Sequence, residues 1–497
     1  MNSRFILTLC ACFLCHILSA QKHDNVWPGG LNEYPEWPGN GQYLIRFDQG
    51  EPEVEPADLG LNFESTVAAY SDSAGQLLYY TNGCAIFNAN GDTLHHGGGL
   101  NPGIVADWTC GKTGYICPRG AMFIPWPGYE DKYCFLLHMG MDYAPDRGLT
   151  YGPFYASFIS KLGVAGIGTV FYKNEIFLSP SYVTGFTKTF EPFAVVRHGN
   201  GRDWWIIIPE YGKNKYHIFL VIPQGIYEQP EQIIGTAMKC TRIGSSTFSP
   251  DGAQYARQQN CGVQVMDFNR CTGHFSNPRW IPAPESGFGG GGVAFSTDNE
   301  QLITDSYLAV LKADLTQTNP VFDTLVYPDG IFGTSLHHMQ YGPDGRLYFN
   351  SLQRIQYLPT LIDPFGPNPV FEQKGVILPV YSVRSLPYFP NYRLYDFPNS
   401  PCDTLGIDTP TANKDPLPKL WAKTYPNPVT DIWHLEVAPS PGRLLIFDFY
   451  GRLQQQIDSP GADGHLQVPV QNWLPGAYGW QWHQTNGESR SGWFVKM

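Results

Sequence analysis

The sequence predicts an all-β fold in which a β-propeller is followed by a small immunoglobulin-like β-sandwich. Three observations support this: a composition suited to strands and turns, a strand-turn-strand repeat, and a run of short alternating strands near the C-terminus. The 497 residues include 53 Gly and 42 Pro, aromatic residues make up 14%, and charged residues make up only 15%. Such a composition favours short strands joined by tight turns over amphipathic helices.

The repeat consists of a strand end, a tight turn and a second strand. It occurs as FSPDG at Phe248–Gly252, FSTDN at Phe295–Asn299 and YGPDG at Tyr341–Gly345, with successive copies 47 and 46 residues apart. The Asp caps the turn through the backbone, and Gly or Asn accepts the left-handed conformation. A third strand-like run follows each copy. Units of three to four strands with this period are typical of propeller blades.

Weaker copies upstream extend the pattern to seven blades, although six or eight also fit the spacing. The first strands of the blades are expected to begin near residues 66, 119, 191, 245, 292, 338 and 383. Residues Gln42–Pro56 resemble the outer half of a blade, and the segment after Ser382 resembles an inner half. Pairing of these two segments would close the ring and remove its exposed edges. We expect Met141–Tyr182 to be an insertion between the second and third blades.

The N-terminus predicts export. Arg4 precedes an apolar run from Phe5 to Leu18, and the small residues Ser19 and Ala20 follow. This is the pattern of a secretory signal peptide, which we expect to be cleaved after Ala20. The run is too short to span a bilayer, and no later run is apolar enough to do so. The net charge of −12 argues against nucleic acid as a partner.

Cysteine usage predicts disulfides. Eight cysteines remain outside the signal peptide, an even number typical of an exported chain, at positions 84, 110, 117, 134, 240, 261, 271 and 402. Cys110 and Cys117 bracket a Gly-rich loop that a disulfide between them would close. Cys261 and Cys271 flank one predicted strand and would lie roughly 30 Å apart, so they should not pair. Cys402 is expected to tie the following linker back to the propeller. A zinc site is disfavoured because no C-x-x-C pair exists, and no metal or cofactor is predicted.

Composition changes after the propeller mark a linker and a terminal module. The predicted divisions are a signal peptide over 1–20, the propeller over 21–400, a linker over 401–423 and the module over 424–497. The linker is rich in Pro, Asp and Thr, which favours a semi-extended chain. The module contains short strand-like runs, among them TDIWHLEV, GRLLIFDFYGRLQQQI and GAYGWQWHQT, separated by Gly/Pro turns. Such a pattern predicts a small β-sandwich.

Over about its last 73 residues the chain resembles the type A C-terminal sorting domain of the type IX secretion system of Bacteroidetes. The segments YPNPVTD, FDFYGRL, LPGAYGWQW and FVKM carry the resemblance in this order. The matching positions are Pro426, Asn427, Pro428, Gly451, Gly476, Tyr478 and Lys496. Trp433 departs from the family, which more often has Leu there.

The resemblance implies a route and two partners. In the family, an outer-membrane translocon recognises the folded domain and a sortase-like peptidase usually removes it. The cargo is then attached to surface lipopolysaccharide or released. The expected location is therefore the outer cell surface or the extracellular medium, reached through the periplasm. The propeller also resembles a group of poorly characterised secreted propellers of the same bacteria, through segments such as YSDSAGQLLYYTNGCAIFNANGDTL. That likeness implies a fold and no mechanism.

Ligands of propellers commonly bind at the central channel, where the first strands begin. Arg119, Glu191 and His338 are the polar candidates there, although bonds among themselves or to channel water would explain them equally well. Trp204 is a candidate stacking platform for a sugar, with core packing as the favoured alternative. Neighbouring strand residues point to opposite faces, so neither His337–His338 nor His95–His96 is expected to bind one ion.

The sequence favours a non-enzymatic module that binds an extracellular protein or glycan. No G-x-S-x-G, H-E-x-x-H or EF-hand pattern is present. The competing hypothesis is a carbohydrate-active hydrolase or lyase that uses the channel. Two carboxylates about 5–10 Å apart in an open channel would favour a glycosidase, and a channel filled by side chains would count against it.

Overall fold

The computed structural model describes most of the chain after residue 20. The described residues are 21–32, 38–144, 148–161, 168–180, 182–183, 186–187, 190–238, 240, 243–283, 291–328, 334–405, 423–426, 428–436, 441–448, 452–459, 465–484 and 489–497. The predicted signal peptide and most of the predicted linker lie outside these ranges. The chain divides into two compact units, residues 1–411 (unit 1) and 412–497 (unit 2).

Unit 1 is built from antiparallel sheets of consecutive strands, which we number in chain order. Sheet I contains β1 (Val26–Leu31), β2 (Gly41–Gln49) and β3 (Glu51–Ala57). Sheet II contains β4 (Ala68–Ser71), β5 (Leu77–Thr81), β6 (Ala85–Asn88) and β7 (Thr93–Gly98), and helix α1 (Ile104–Thr109) follows. Sheet III contains β8 (Ala121–Pro125), β9 (Tyr133–Ala144), β10 (Gly148–Ser160) and β11 (Thr169–Leu178).

Four more four-stranded sheets follow a short hairpin of β12 (Tyr182–Val183) and β13 (Phe186–Thr187). Sheet IV contains β14 (Ala194–Arg197), β15 (Trp204–Pro209), β16 (Lys215–Ile222) and β17 (Gly225–Ile233). Sheet V contains β18 (Ile243–Phe248), β19 (Gln254–Gln259), β20 (Gly262–Asn269) and β21 (His274–Pro282). Sheet VI contains β22 (Val293–Phe295), β23 (Gln301–Asp305), β24 (Val310–Asp314) and β25 (Asp323–Val326). Sheet VII contains β26 (Leu336–Tyr341), β27 (Leu347–Ser351), β28 (Ile355–Ile362) and β29 (Val370–Ser382).

The sheets follow one another with their first strands in contact. β1 contacts β4, β4 contacts β8, β14 contacts β18, β18 contacts β22, and β22 contacts β26. Sheets II and III are also joined at their outer strands by one parallel bridge, between His95 and Thr169, into a single eight-stranded sheet. Successive meanders in this order are typical of a β-propeller. The predicted all-β fold is confirmed, and no helix in the described part of the chain is long and apolar enough to cross a membrane.

Strand composition explains which strands lie inside. The second strand of sheet IV, with the sequence WWIIIP, is buried at every position, because it lies between other strands and packs on both faces. The outer strand β3 alternates exposed and half-buried residues. The three repeated turns form as predicted, with φ of 72° at Gly252, 64° at Asn299 and 81° at Gly345.

Two expectations about the propeller are wrong. Met141–Tyr182 is not an insertion, because it supplies the end of β9 and all of β10 and β11 to sheet III. The segment after Ser382 forms no strand, and sheet I takes its first strand from β1 instead. The sequence VWPGGL was missed because Pro28, Gly29 and Gly30 are poor strand formers, yet β1 is fully buried.

The segment after β29, residues 383–397, runs among the first strands of several sheets, and we call it the central segment. The Tyr388 hydroxyl donates to the Ser246 carbonyl on β18 (2.6 Å), and the Tyr392 hydroxyl donates to the Phe123 carbonyl on β8 (2.6 Å). Both tyrosines are buried. The ring of Tyr392 also contacts Tyr70 of β4, at a centroid distance of 6.2 Å. Contacts with three different first strands mean that the central segment fills the middle of unit 1 with side chains.

Six of the eight cysteines outside the predicted signal peptide form disulfides. The bonds are Cys84–Cys110, Cys240–Cys261 and Cys271–Cys402, with Cα–Cα distances between 5.4 and 5.7 Å. Two expectations are confirmed: Cys261 and Cys271 do not pair with each other, and Cys402 ties the end of unit 1 to sheet V. The predicted Cys110–Cys117 bond is wrong, because α1 brings Cys110 to Cys84 at the start of β6. The structure leaves Cys117 and Cys134 as buried thiols.

Alkylation of the denatured, unreduced mature chain is expected to label two cysteines, Cys117 and Cys134. The other six should appear by mass spectrometry as three linked peptide pairs, because their Cα separations suit disulfides. Labelling after reduction, which should reach all eight, is the control. Eight labelled cysteines without reduction would contradict the disulfide assignment.

Unit 2 consists of two antiparallel sheets that share one core. The first contains β30 (Lys423–Tyr425), β31 (Ile432–Glu436) and β34 (His465–Pro469). The second contains β32 (Gly442–Asp448), β33 (Leu453–Ser459), β35 (Gly476–Gln484) and β36 (Ser489–Lys496). Trp433 of the first sheet stacks on Phe494 of the second, with ring centroids 4.3 Å apart, and both are fully buried. The unusual Trp433 is therefore a central part of the core.

Three of the five described positions of the sorting-domain pattern have structural roles in unit 2. Gly476 begins β35 with φ of 156° and is the register partner of Lys496. The Tyr478 hydroxyl donates to the Leu474 carbonyl (2.9 Å) while its ring packs against Phe494. Pro426 and Pro428 lie in the connection from β30 to β31. Asn427 and Gly451 lie outside the described residues.

Candidate functional site

Polar side chains from three sheets meet where the first strands of unit 1 begin, and we call Arg119, Asp305, His337 and His338 the central pole. Arg119 lies just before β8, and Asp305 ends β23. The Arg119 guanidinium donates from Nη2 to the Met339 carbonyl of β26 (2.6 Å) and lies over the Tyr388 ring, 4.3 Å from its centroid. The side chain is 6% exposed, and burial lowers the pKa of its guanidinium. Two contacts therefore hold Arg119 in place, and neither is with a carboxylate.

His337 and His338 lie side by side because β26 contains a bulge. Leu336 is the register partner of Ser351, and Met339 is the partner of Phe349, so β26 has one residue more than β27 between these pairs. The two ring centroids are 4.0 Å apart. The expectation that these neighbours point to opposite faces is therefore wrong.

The same expectation is wrong at the exposed pair His95–His96, whose ring centroids are 3.9 Å apart. The register of β6 and β7 is irregular there, and His96 has φ of 61°. Regular alternation fails at both pairs for the same reason, an irregular strand.

Burial makes both histidines of the pole neutral. It lowers the pKa of His337 to about 3, with a further lowering from the charges of Arg384 and Arg119. Burial likewise places the pKa of His338 well below its usual range. Neither ring nitrogen of His338 forms a hydrogen bond within the described part of the chain, although the nearby Gly291 backbone raises its pKa against the effect of burial. A neutral imidazole offers one donor and one acceptor.

Asp305 is the acidic group of the pole. Its Oδ2 accepts the Gly292 N–H (2.8 Å) at the start of β22. Burial raises the pKa of the carboxyl to about 7, against the lowering effects of this hydrogen bond, the Arg119 charge and the Tyr307 backbone. Asp305 therefore titrates near neutral pH. A titratable group of this kind inside a buried polar cluster is common at functional sites.

The rim of the pole is formed by Arg384 from the central segment and Glu64. The Arg384 side chain is 41% exposed, and its Nη1 lies 3.6 Å from Glu64 Oε1. Three residues around the pole have a left-handed backbone, with φ of 53° at Arg119, 71° at Tyr307 and 52° at Arg384. Such conformations cost roughly 1–3 kcal/mol each and often occur at functional sites.

Glu191, predicted to face the channel, is bound by its own neighbours. Arg257 of β19 donates to both carboxylate oxygens, from Nε to Oε2 (2.7 Å) and from Nη2 to Oε1 (2.6 Å). Gln259 also donates to Glu191. Arg257 also donates to the carbonyls of Glu210 (2.8 Å) and Lys213 (2.6 Å). Both side chains are buried, so Glu191 and Arg257 form an internal ion pair in which both carboxylate oxygens already accept hydrogen bonds.

Trp204 is fully buried on β15, and the guanidinium of Arg197 lies over its ring at 4.3 Å. Trp205 is also buried, and its Nε1 donates to the Arg270 carbonyl (2.7 Å). Neither ring is exposed as a platform for a sugar. The structure therefore places Trp204 in the core.

One cluster that the sequence did not suggest has residue types that bind metals. Glu210, His217 and Glu231 each present a ligand atom within 4.8 Å of the others. Two lysines already neutralise this cluster: Lys213 Nζ lies 2.7 Å from Glu210, and Lys215 Nζ contacts Glu231. Burial disfavours the Glu210 carboxylate, but hydrogen bonds from His217 and Lys213 outweigh it and lower its pKa to about 2. A cation would have to displace Lys215, so we interpret the cluster as an ion-pair network of sheet IV.

Of the four predicted site residues, the structure brings Arg119 and His338 together and separates off Glu191 and Trp204. Arg119 binds the carbonyl of Met339, the residue after His338. Sequence reasoning missed Asp305, Tyr388 and Arg384. The position of Asp305 could have been recognised from the sequence. Its carboxylate ends the apolar strand QLITD and lies opposite the glycines before β22. Such a position is at the edge of the sheet where the first strand begins.

Comparisons with known proteins add no function. No family model matches the chain, and no curated protein matches it. Among solved structures, a protein assigned as a 6-phosphogluconolactonase from Bacteroides uniformis is 13% identical with a TM-score of 0.44, covering 72% of this chain and 97% of that one. The β-propeller domain of Cps50 (Swd1) from Myceliophteria thermophila is 9% identical with a TM-score of 0.31, covering 66% of this chain and 93% of that one.

A third match is the extracellular domain of a protein assigned as a hybrid two-component system from B. thetaiotaomicron. It is 8% identical with a TM-score of 0.34, and the alignment covers 92% of this chain and 60% of that one. Identities and TM-scores at this level carry no argument about ligand or activity.

Replacing Asp305 with Asn is expected to stabilise the protein at pH 8 and to leave stability nearly unchanged at pH 4. The raised pKa of Asp305 means that the unfolded state loses its proton near pH 4, whereas the folded state keeps it to about pH 7. Stability therefore falls as pH rises through this window, by roughly 4 kcal/mol at 1.4 kcal/mol per pKa unit. Denaturant midpoints at both pH values measure the difference. Equal effects at pH 4 and pH 8 would contradict the burial of this carboxyl.

Proposed function

We propose that this protein is an exported binding module, in which a seven-bladed propeller binds an extracellular protein or glycan and unit 2 delivers it through type IX secretion. The observation that carries the binding role is the central pole, a buried polar cluster with donors that have no partner among the described residues. The sorting-domain pattern is the observation that supports the export role. Most of its described positions support the core or the strand ends of unit 2.

Seven blades are supported by the number of sheets in unit 1. The described residues form six four-stranded meanders and the three-stranded sheet I. The first strand of every sheet contacts the first strand of a neighbouring sheet. The short hairpin of β12 and β13 lies in sequence between sheets III and IV. The strand β29 of sheet VII also contacts β1, β2 and β3. This contact of the last sheet with the first supports a closed ring, with β1 replacing the predicted closing strand.

Binding is favoured over glycoside hydrolysis by the contents of the centre. The central segment fills it with Tyr388 and Tyr392, and Glu191 is committed to Arg257. The pole contributes one deeply buried carboxyl, Asp305, whereas glycosidases commonly use a pair. The arrangement suits recognition of a polar group better than acid and base catalysis.

A glycan array probed with the full mature chain tests this function, with chromatography of the same glycans for released products. We expect retention of particular glycans without product formation. Product release would favour the hydrolase or lyase alternative. If no glycan is retained, affinity capture of extracellular proteins followed by titration of each purified partner tests the other half of the proposal. Failure of both would overturn the binding role.

A further inference from the structure

Arg119 is a buried cation that lacks a counter-ion. No carboxylate lies within ion-pair distance of it in the described part of the chain, and its Nη1 has no hydrogen-bond partner there. A buried charge is normally paired, because removal from water costs several kcal/mol. Asp305 acts on Arg119 only through space, and burial itself favours the neutral carboxyl.

Two other buried arginines of unit 1 make more hydrogen bonds than Arg119 does. Arg197 lies over Trp204 as Arg119 lies over Tyr388, at the same 4.3 Å, yet it donates to the Gly201 carbonyl (2.8 Å) and to Gln21 (3.1 Å). Arg270 donates to four backbone carbonyls. Arg119 donates to one carbonyl. Arg119 therefore makes fewer hydrogen bonds than either of these arginines, although Nε of Arg197 also lacks a partner among the described residues.

We propose that the central pole binds the carboxylate of a ligand, presented by an acidic sugar or by a small organic acid. Nη1 of Arg119 donates to one carboxylate oxygen. The other carboxylate oxygen accepts a hydrogen bond from the ring N–H of His338. His338 is adjacent in sequence to Met339, whose carbonyl accepts the hydrogen bond from Arg119. Arg384 at the partly exposed rim attracts the anion towards the pole. The inference rests on the proposed binding function and names the chemical group that is recognised.

A monoanionic carboxylate suits the site better than a phosphate dianion. Arg119 has one free Nη and not the full fork that a phosphate prefers, and Asp305 adds negative charge when it ionises. Among the described residues, the charged and titratable groups that face the pole are Arg119, Asp305, His337, His338, Tyr388, Arg384 and Glu64. Burial keeps both histidines neutral and raises the pKa of Tyr388, which leaves Asp305 as the buried group that titrates near pH 7. Affinity for the carboxylate should therefore weaken from pH 6 to pH 8.

Calorimetric titration of the full mature chain tests this, with D-glucuronate as the acidic sugar, succinate as the organic acid, and glucose and inorganic phosphate as controls. We expect one or both acids to bind more tightly than glucose or phosphate. Arg119→Gln should weaken that binding by about 10- to 100-fold, the range for a hydrogen bond to a charged group. Arg197→Gln, a matched buried arginine over an aromatic ring, should leave it unchanged. The acid that binds identifies the source of the carboxylate.

If Arg119→Gln does not fold, Asp305→Asn provides a second test of the same inference. This variant should bind the acid about 10-fold more tightly than the wild type at pH 8 and lose the pH dependence between pH 6 and pH 8. A merely structural role of Asp305 would not move the pH profile. Absence of binding by both acids at about 10 mM, ten times a weak Kd of about 1 mM, would overturn the inference. So would binding that Arg119→Gln leaves intact. If neither acid binds but the wild type still retains neutral glycans or a protein, the inference fails and the proposed binding function stands.

Discussion

A chain that ends before Tyr425 is expected to fold its propeller and to accumulate in the periplasm. Unit 1 has its own hydrophobic clusters, and all three disulfides join residues within it, so loss of unit 2 removes none of its core. The residues removed carry the whole sorting-domain resemblance. Cell fractionation with surface proteolysis measures the distribution, and we expect the surface and extracellular fractions to fall from most of the protein to almost none.

Two point variants test whether export depends on the fold of unit 2 and not only on the length of the chain. Trp433→Ala removes a fully buried ring that stacks on Phe494 and should cost about 3–5 kcal/mol, enough to unfold a small unit and block export. Leu474→Ala is the control, because this side chain is 79% exposed and should be exported normally. Surface exposure of the truncated chain would show that unit 2 is not the sorting signal.

Replacing Arg257 with Gln should lower the free energy of unfolding of unit 1 by about 3–5 kcal/mol. The substitution leaves the Glu191 carboxylate buried without its cation and also removes donors to the carbonyls of Glu210 and Lys213. Chemical denaturation followed by tryptophan fluorescence measures the change as a lower midpoint with an unaltered slope.

The matched control is Arg46→Gln, which breaks the Arg46–Glu55 pair between β2 and β3 of sheet I. Both side chains are solvent-exposed to a large extent, 29% and 52%, so the loss should stay below about 1 kcal/mol. Similar midpoints for the two variants would mean that Glu191 and Arg257 are not a buried pair. That outcome would return Glu191 to the list of groups free to bind a ligand.

Strand and turn chemistry made most of the fold of unit 1 predictable. The first strands expected near residues 66, 119, 191, 245, 292 and 338 begin at Ala68, Ala121, Ala194, Ile243, Val293 and Leu336. These positions follow from local patterns, because Asp-Gly turns and apolar runs act over a few residues. The strand that completes sheet I was not predictable in this way. Its identity depends on which distant segment pairs with β2. That segment is β1, which contains a Pro-Gly-Gly sequence that local propensity disfavours.

The candidate site was only partly predictable, because its members are set by long-range contacts and by one irregularity. Arg119 and His338 were found because they lie close to the beginnings of first strands. Asp305 and Arg384 reach the pole from a strand end and from the central segment, and no spacing in the sequence connects them. The bulge in β26 that places His337 beside His338 has no local signature either. Glu191 was misplaced because its partner Arg257 lies 66 residues away.

The most direct test of the carboxylate-binding account is a crystal structure of the full mature chain grown at pH 6 with D-glucuronate. We predict density for the carboxylate between Nη1 of Arg119 and the His338 ring, with hydrogen-bond distances of about 2.7–3.0 Å. Crystals of Arg119→Gln under the same conditions should lack this density. Glucuronate bound elsewhere, or a wild-type pole in which another protein group already pairs with Arg119, would contradict the account.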